Sequence, residues 1–384
     1  MAKRNTEAAW VESAQRWQIN VQCNGKRKTF VSSKAGKKGK LEAERKADAW
    51  LEKGMVDDTA KVSVLLDMFL EDKKTHNGER SGSYRQNEKM VRLYIKPVIG
   101  NKKMAALTAG DCQRVIDVSY RTKHLSAKTL SDLRGTISGF LKWARMNKKS
   151  ALLVEGLTIP KGATRTKRTI LQPDALETLM TVDTTVWHGK RRLEPYIWAY
   201  RFGVVTGFRP GEIIALKHSD ISGKRYSLHG SINDLGDHTD GKNENALRSG
   251  ELSSIAMHIL NRQRLFLIQH GISSNYVFPK VTYLLESDGE HLDQQTYYRS
   301  WVRYCRSNNI TEGTKPYELR HTFCSVNDEM APGLKKMIMG HSQNMDTEGV
   351  YGHKKRGDDA RAAEYIDEAF APYVKCVPKC VPEE

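Results

Sequence analysis

Residues 195–217, PYIWAYRFGVVTGFRPGEIIALK, constrain this chain more than any other stretch. The segment is apolar before Arg209 and apolar at helical spacing after it. A run that apolar belongs inside a core, and the Gly and Pro residues around Arg209 punctuate it. The pattern predicts two buried helices with Arg209 at the turn between them, held rigidly.

The rest of the chain predicts a mainly α protein with small β elements, in the α+β class. Residues 1–55 read as a separate basic module. RWQINVQ (16–22) and KRKTFVSS (26–33) alternate apolar and polar positions around Asn24-Gly25, a strong hairpin signal. A basic stretch with Lys34, Lys37, Lys38 and Lys40 leads into a helical segment ending near Trp50, Leu51 and Gly54. Residues 1–50 hold 12 Lys+Arg against 5 Asp+Glu. A hairpin plus helix with that charge suits a β-ribbon in a DNA groove; the alternative is a solvated basic leader.

Residues 60–158 read as a helical domain. VSVLLDMFLED has one apolar face. Tyr84, Val91, Leu93, Tyr94 and Ile95 continue a second helix to Lys96-Pro97, where proline disfavours more helix. Thr108 is placed to cap a helix through Val115 and Ile116. Within residues 125–148, Leu130, Leu133, Ile137, Phe140, Leu141 and Ala144 recur at helical spacing and are assigned to a core. IPKGATRTKRT (159–169) reads as a basic linker, either lying along DNA or simply solvated. From Ile170 to about residue 375, helices dominate around one small sheet, leaving a tail at 376–384. Pro173 opens a helix through Met180. Short strands at 226–232 and 247–252 flank a polar loop that contains Lys242. Residues 292–307 and 358–370 read as helices.

Charge narrows the class of partner. The chain has 62 Lys+Arg against 45 Asp+Glu, a formal net charge of +17 over 384 residues. A chain this basic is drawn to a polyanion, most often nucleic acid. A hydrophobic content of 39% suffices for real cores. No stretch approaches 18 apolar residues and MAKRNTEAAW lacks the apolar run of a signal peptide, so no membrane association is expected. Six scattered cysteines read as reduced thiols; Cys376 and Cys380 have no partners to complete a metal site.

Five residues fall in a fixed order: Arg209 in TGFRPGE, Lys242 in GKNENALR, Arg320 in PYELRHTF, His341 in GHS and Tyr351 in VYGH. Two arginines can clamp one phosphate bidentately. A lysine and a histidine add mobile protons, and a tyrosine offers a nucleophilic oxygen. This order and spelling resemble the tyrosine recombinases, of the phage-integrase type. Thr206, Gly207, Phe208, Arg209 and Glu212 match that family's first arginine box. Tyr317, Leu319, Arg320, His321, Thr322 and Phe323 match the second, and His341 precedes Tyr351 by ten positions. The likeness runs from about residue 60 to about residue 370.

The resemblance implies a helical core-binding domain, a mixed α/β catalytic domain, and strand cleavage at double-stranded DNA without metal, ATP or other cofactor. Tyr351 is then the nucleophile, giving a 3′-phosphotyrosyl enzyme and a free 5′-hydroxyl. Arg209 and Arg320 bind the scissile phosphate, and Lys242 protonates the leaving oxygen, with Lys224 as runner-up. Tyr317 departs from the histidine usual at its position, so the base role shifts toward His341 or is shared with substrate and water. His321 reads as structural, and Glu212 as an ion-pair partner that orients Arg209. The family works as a tetramer on two DNA sites in the bacterial cytoplasm, and its larger members use an N-terminal module on arm sites and an accessory protein for excision. The helix at 358–370 would dock on a neighbouring subunit or fold back on its own. The rivals are a type IB topoisomerase and a non-catalytic DNA-binding protein descended from a recombinase; an RNA-binding role lacks any aromatic-rich motif.

Overall fold

The computed structural model describes residues 6–23, 26–54, 58–165, 167–239, 247–340 and 355–374. The chain divides into two compact units, residues 1–166 and 167–384.

The first unit contains two hydrophobic clusters. In one, strands β1 (Ala9–Val11), β2 (Arg16–Cys23) and β3 (Lys26–Ser32) form an antiparallel sheet in that order. Helix α1 (Gly36–Gly54) packs Ala43, Ala47 and Leu51 with Ile19 and Val21 of β2. Strand alternation sends Arg16, Gln18, Asn20 and Gln22 to the other face. The hairpin is the one expected from sequence, although Asn24 and Gly25 lie outside the described residues. Two features differ from the sequence reading. A third strand, β1, joins through backbone bonds that leave no side-chain periodicity over three residues. Lys37, Lys38 and Lys40 of the basic stretch belong to α1 itself, because straight-chain Lys is a good helix former, while Lys34 precedes it.

The second cluster is a helical bundle: α2 (Val62–Asn77), α3 (Gly82–Met90), α4 (Lys96–Ile99), α5 (Ala109–Lys123) and α6 (Ala127–Met146). Thr108 caps α5 as expected: its hydroxyl accepts from the Asp111 N–H, and the Asp111 carboxylate accepts from the Thr108 N–H. Leu130, Leu133, Ile137, Phe140, Leu141 and Ala144 of α6 are all at most 1% exposed. Pro97 does not end the second helix. A π-helical turn at Val91–Ile95 widens the backbone just before it, and the helix runs on to Ile99. That widening relieves the clash of a proline ring with the carbonyl four residues earlier. Ala163 is buried against this bundle and the Thr164 carbonyl accepts from the Ala127 N–H, so the basic segment stays packed to that point.

The second unit has a larger core around α8 (Ile197–Thr206), with α7 (Pro173–Thr181) beside it. A hairpin, β4 (Thr184–Trp187) with β5 (Lys190–Leu193), precedes α8. A short helix α9 (Pro210–Ala215) follows it. The small sheet runs β10–β7–β6, from Arg248–Glu251, Arg225–Leu228 and Ile221–Ser222. Strands β8 (Ser231–Ile232) and β9 (His238–Thr239) form a separate pair. Helices α10 (Ser254–Gln269), α11 (Gln294–Ser307), α12 (Pro316–Val326) and α13 (Pro332–Met339) complete the layer. The C-terminal helix Asp358–Phe370 folds back on its own unit. It buries Ala362, Ile366 and Phe370, and the Asp367 carboxylate accepts from the N–H groups of Ser254 and Ile255 at the start of α10. Among the described residues, no helix is long and apolar enough to cross a membrane.

Candidate active site

Three of the six residues singled out from sequence can be placed: Arg209, Tyr317 and Arg320. Lys242, His341 and Tyr351 lie outside the described residues.

Helix α8 stops at Gly207, whose φ of +64° is a left-handed conformation suited to glycine. A Cβ there would also lie 2.6 Å from the Phe323 ring. Two residues later Arg209 caps α9, with Pro210 in the first turn and Glu212 at the third position. The Arg209 N–H donates to one Glu212 carboxylate oxygen at 2.8 Å, and its Nη1 donates to the other at 2.6 Å. Arg209 therefore sits at the expected turn, and its guanidinium is held by a residue three positions along.

Glu212 serves a second arginine. Arg248, the first residue of β10, donates from Nη1 and Nη2 to both Glu212 oxygens at 2.9 Å each. Its guanidinium also lies over the Phe208 ring, 5.3 Å from the centroid. Burial works to raise the Glu212 carboxyl, but the bonds and charge of Arg248 and Arg209 outweigh it and hold the group below the usual carboxylate range. The third arginine, Arg320 of α12, is 1% exposed and donates from Nη1 to the Gly207 carbonyl at 2.7 Å.

All three arginines converge on the end of α13. Arg248 Nε donates to the Ile338 carbonyl, Arg320 Nη2 to that of Met339, and Arg209 Nη2 to that of Gly340. The last carbonyls of a helix have no intrahelical partners and carry the negative end of its dipole. Three consecutive carbonyls at that end are each taken by a different arginine. Gly340 turns the chain with a φ of +60°, so the frame ends one residue before His341. Arg209 and Arg248 share one carboxylate and Arg320 donates to the Gly207 and Met339 carbonyls beside them, leaving two positive charges in a buried, hydrogen-bonded frame. Their mutual repulsion is visible at Arg320, where burial and the neighbouring Arg209 charge lower the guanidinium to about 10. It remains protonated at neutral pH. Such a site is built to receive an anion with oxygens in bidentate geometry.

Tyr317 stands in the first turn of α12, 46% exposed, one turn before Arg320. Its ring meets His321 edge-on at 5.3 Å. Burial, then the Arg168 charge, lower the His321 imidazole, which keeps it neutral near pH 7. Arg248, the last residue of GKNENALR, was not singled out from sequence; its part in the frame rests on Glu212 and the Ile338 carbonyl, both remote in the chain.

Residues 240–246, which contain Lys242, lie outside the described residues. Lys224 sits in the β6–β7 turn, at the Glu251 end of the ladder in which Arg248 pairs with Leu228 and Glu251 with Arg225.

Residues 169–357 match the phage integrase family, and residues 61–118 match the N-terminal SAM-like domain of phage integrases. No curated protein matches the sequence significantly. Among solved structures, the Tn1549 transposon integrase (residues 82–397) in complex with circular intermediate DNA is similar, with 18% identity and a TM-score of 0.59 over 78% of this chain and 98% of that one. A lambda integrase dimer bound to a COC′ core site has 13% identity and a TM-score of 0.56, covering all of both chains. A lambda integrase tetramer bound to a Holliday junction has 13% identity and a TM-score of 0.55, over 92% of this chain and 99% of that one. These likenesses establish the fold: a mainly helical protein with a mixed α/β second unit. With both family matches in chain order, the chain belongs to the phage integrase family.

Proposed function

We propose that this chain is a site-specific DNA recombinase that cuts and rejoins strands through Tyr351. The observation that carries the reading is the arginine frame, where three guanidinium groups and one carboxylate gather at the end of α13. Arg209 and Arg320 receive the non-bridging oxygens of the scissile phosphate, where charge grows in the transition state. Arg248 acts through Glu212 and the end of α13. The Tyr351 oxygen attacks phosphorus, the bond to the 5′-oxygen breaks, and Lys242 delivers the proton that makes the 5′-hydroxyl. The 3′-phosphotyrosyl bond preserves the phosphodiester energy, so a 5′-hydroxyl from a partner duplex reverses the step without ATP or metal. His341, the residue that follows Gly340 in sequence, takes the larger share of proton handling. Tyr317 is a hydrogen-bond donor to phosphate, since a phenol is a reluctant base near neutral pH.

The reading extends to integration and excision of a mobile element in a bacterial cell, by a tetramer on two DNA sites. The lambda integrase dimer and tetramer on DNA support this assembly by analogy of fold. The basic N-terminal module would bind arm DNA through the sheet face that carries Arg16, Gln18, Asn20 and Gln22, and an accessory protein would assist excision.

Covalent trapping tests the proposal. A nicked duplex spanning the end junction of the encoding element is incubated with wild type and with Tyr351→Phe. A protein–DNA band on a denaturing gel in wild type alone supports the mechanism. Salt-sensitive binding by both proteins with no covalent band in either would favour a non-catalytic DNA-binding protein.

A further inference from the structure

The second unit carries another cationic surface outside the arginine frame. The β4–β5 hairpin contributes Lys190, Arg191 and Arg192; helix α11 contributes Arg299, Arg303 and Arg306. Neither Thr184–Leu193 nor Gln294–Ser307 contains a single Asp or Glu. The two elements are joined directly. The Ser307 hydroxyl accepts from the Val186 N–H at 2.9 Å, and Arg191 donates to the Ser307 carbonyl and the Asn308 side chain. Among the described residues, none of the six cations forms an ion pair. Of the carboxylates that flank these elements in sequence, Asp183 pairs with Arg201, Asp293 pairs with Lys280, and buried Glu194 accepts from the Tyr283 hydroxyl and feels the Arg303 charge. The loop carrying Tyr283 has Glu286, Asp288 and Glu290, and none of them pairs with these six.

Two of the cations are fixed in a tiered stack. Arg192 lies 5.3 Å from the Trp187 ring, Trp187 stacks on Tyr283 at 5.6 Å and 15°, and Arg303 lies 4.8 Å from the Tyr283 ring. The Tyr283 hydroxyl is tied to Glu194 at 3.0 Å. Held this way, the arginines lose little further freedom on meeting a ligand. Arg192 Nε is buried and has no hydrogen-bond partner. Arg303 and Arg306 lie in the C-terminal half of α11 and Arg299 nearer its middle, while its N-terminal end is held at β8, where Gln294 donates to the Ile232 carbonyl.

We propose that this patch is a second DNA-backbone contact, gripping phosphates of the duplex that flanks the scissile one. It rests on DNA being the substrate and adds a surface that the cleavage chemistry does not require. Its work is to hold the flanking duplex in register while the frame acts on one phosphate.

The test is the salt dependence of binding by the full chain to a random-sequence 30-base-pair duplex, which needs no knowledge of the core site. The variant is Lys190→Gln/Arg299→Gln/Arg306→Gln, three exposed residues. A control, Arg262→Gln/Arg264→Gln on the exposed side of α10, removes charge elsewhere. Each lost phosphate contact lowers the slope of log K against log salt by about 0.9. The triple variant should lose roughly 2 to 3 from the slope and the control much less. An unchanged slope, or equal losses per charge in both variants, overturns the proposal. An unchanged slope with lost tetramer assembly would also overturn it, assigning the patch to an acidic surface of a second subunit. The triple variant retains the frame and Tyr351, so its covalent band at low salt separates failure of this proposal from failure of the recombinase reading.

Discussion

Glu212→Gln is the most informative single substitution. Glu212 accepts two bonds from Arg248, one from the Arg209 side chain and one from the Arg209 backbone, all at 2.6 to 2.9 Å, and it is 2% exposed. Glutamine keeps the shape but removes the negative charge that Arg209 and Arg248 share, and it turns an NH₂ toward existing donors. Removing one partner of a buried, hydrogen-bonded ion pair costs about 3 to 5 kcal/mol. For a unit of this size that is a fall in Tm of roughly 6 to 20 °C. Cleavage should fall about 100-fold as the Arg209 guanidinium loses its anchor. The pH dependence has a fixed sign. The carboxyl is held below its unfolded value, so its stabilisation is complete above about pH 4.5 and drains away as pH falls through the folded value. Urea unfolding of wild type, Glu212→Gln, Arg248→Met and the double variant, from pH 3 to 7, checks all of this. A loss under about 1 kcal/mol at pH 7, or no coupling in the double-mutant cycle, would refute the claim that one carboxylate holds the frame.

Glu194 has the opposite sign. Burial pushes its carboxyl up to about 8, so stability should decline as pH rises from about 4.5 to 8 while only the unfolded chain ionises. Glu194→Gln should flatten that decline and stabilise the protein at pH 8 but not at pH 4.5, read by thermal unfolding at both. Gly207→Ala adds a Cβ against Phe323 at a left-handed φ, which should cost about 2 kcal/mol or more and displace the carbonyl that holds Arg320, seen as parallel losses of Tm and cleavage. Tyr317→Phe should slow cleavage less than about 10-fold if its hydroxyl only donates to phosphate; a loss above 100-fold in single-turnover cleavage would make it the base.

The parts of this structure legible in the sequence are those set by local rules. The apolar stripe of α6, the Thr108 cap and the turn at Arg209 follow from periodicity, a capping residue and punctuation. Pro97 was misleading because a π-helical turn, which has no sequence signature, accommodates it. The β4–β5 hairpin escaped because Thr184–Trp187 and Lys190–Leu193 are four residues each and the second is three cations and one Leu, with no alternation to read. Its turn residues, His188 and Gly189, both have positive φ without the usual Asn-Gly spelling. The arginine frame was only half legible. Arg209 and Arg320 stand in recognisable boxes, whereas the role of Arg248 depends on carbonyls 90 residues downstream. No local pattern reports a contact of that kind; it exists only once β10, α9 and α13 have packed.

Whether Tyr351 becomes covalently joined to DNA is tested most directly by mass spectrometry of the trapped complex after proteolysis and nuclease digestion. A single nucleotide esterified through its 3′-phosphate to the peptide containing Tyr351 is the expected result. An adduct on another residue, or none under conditions where the duplex is cut, would contradict the account.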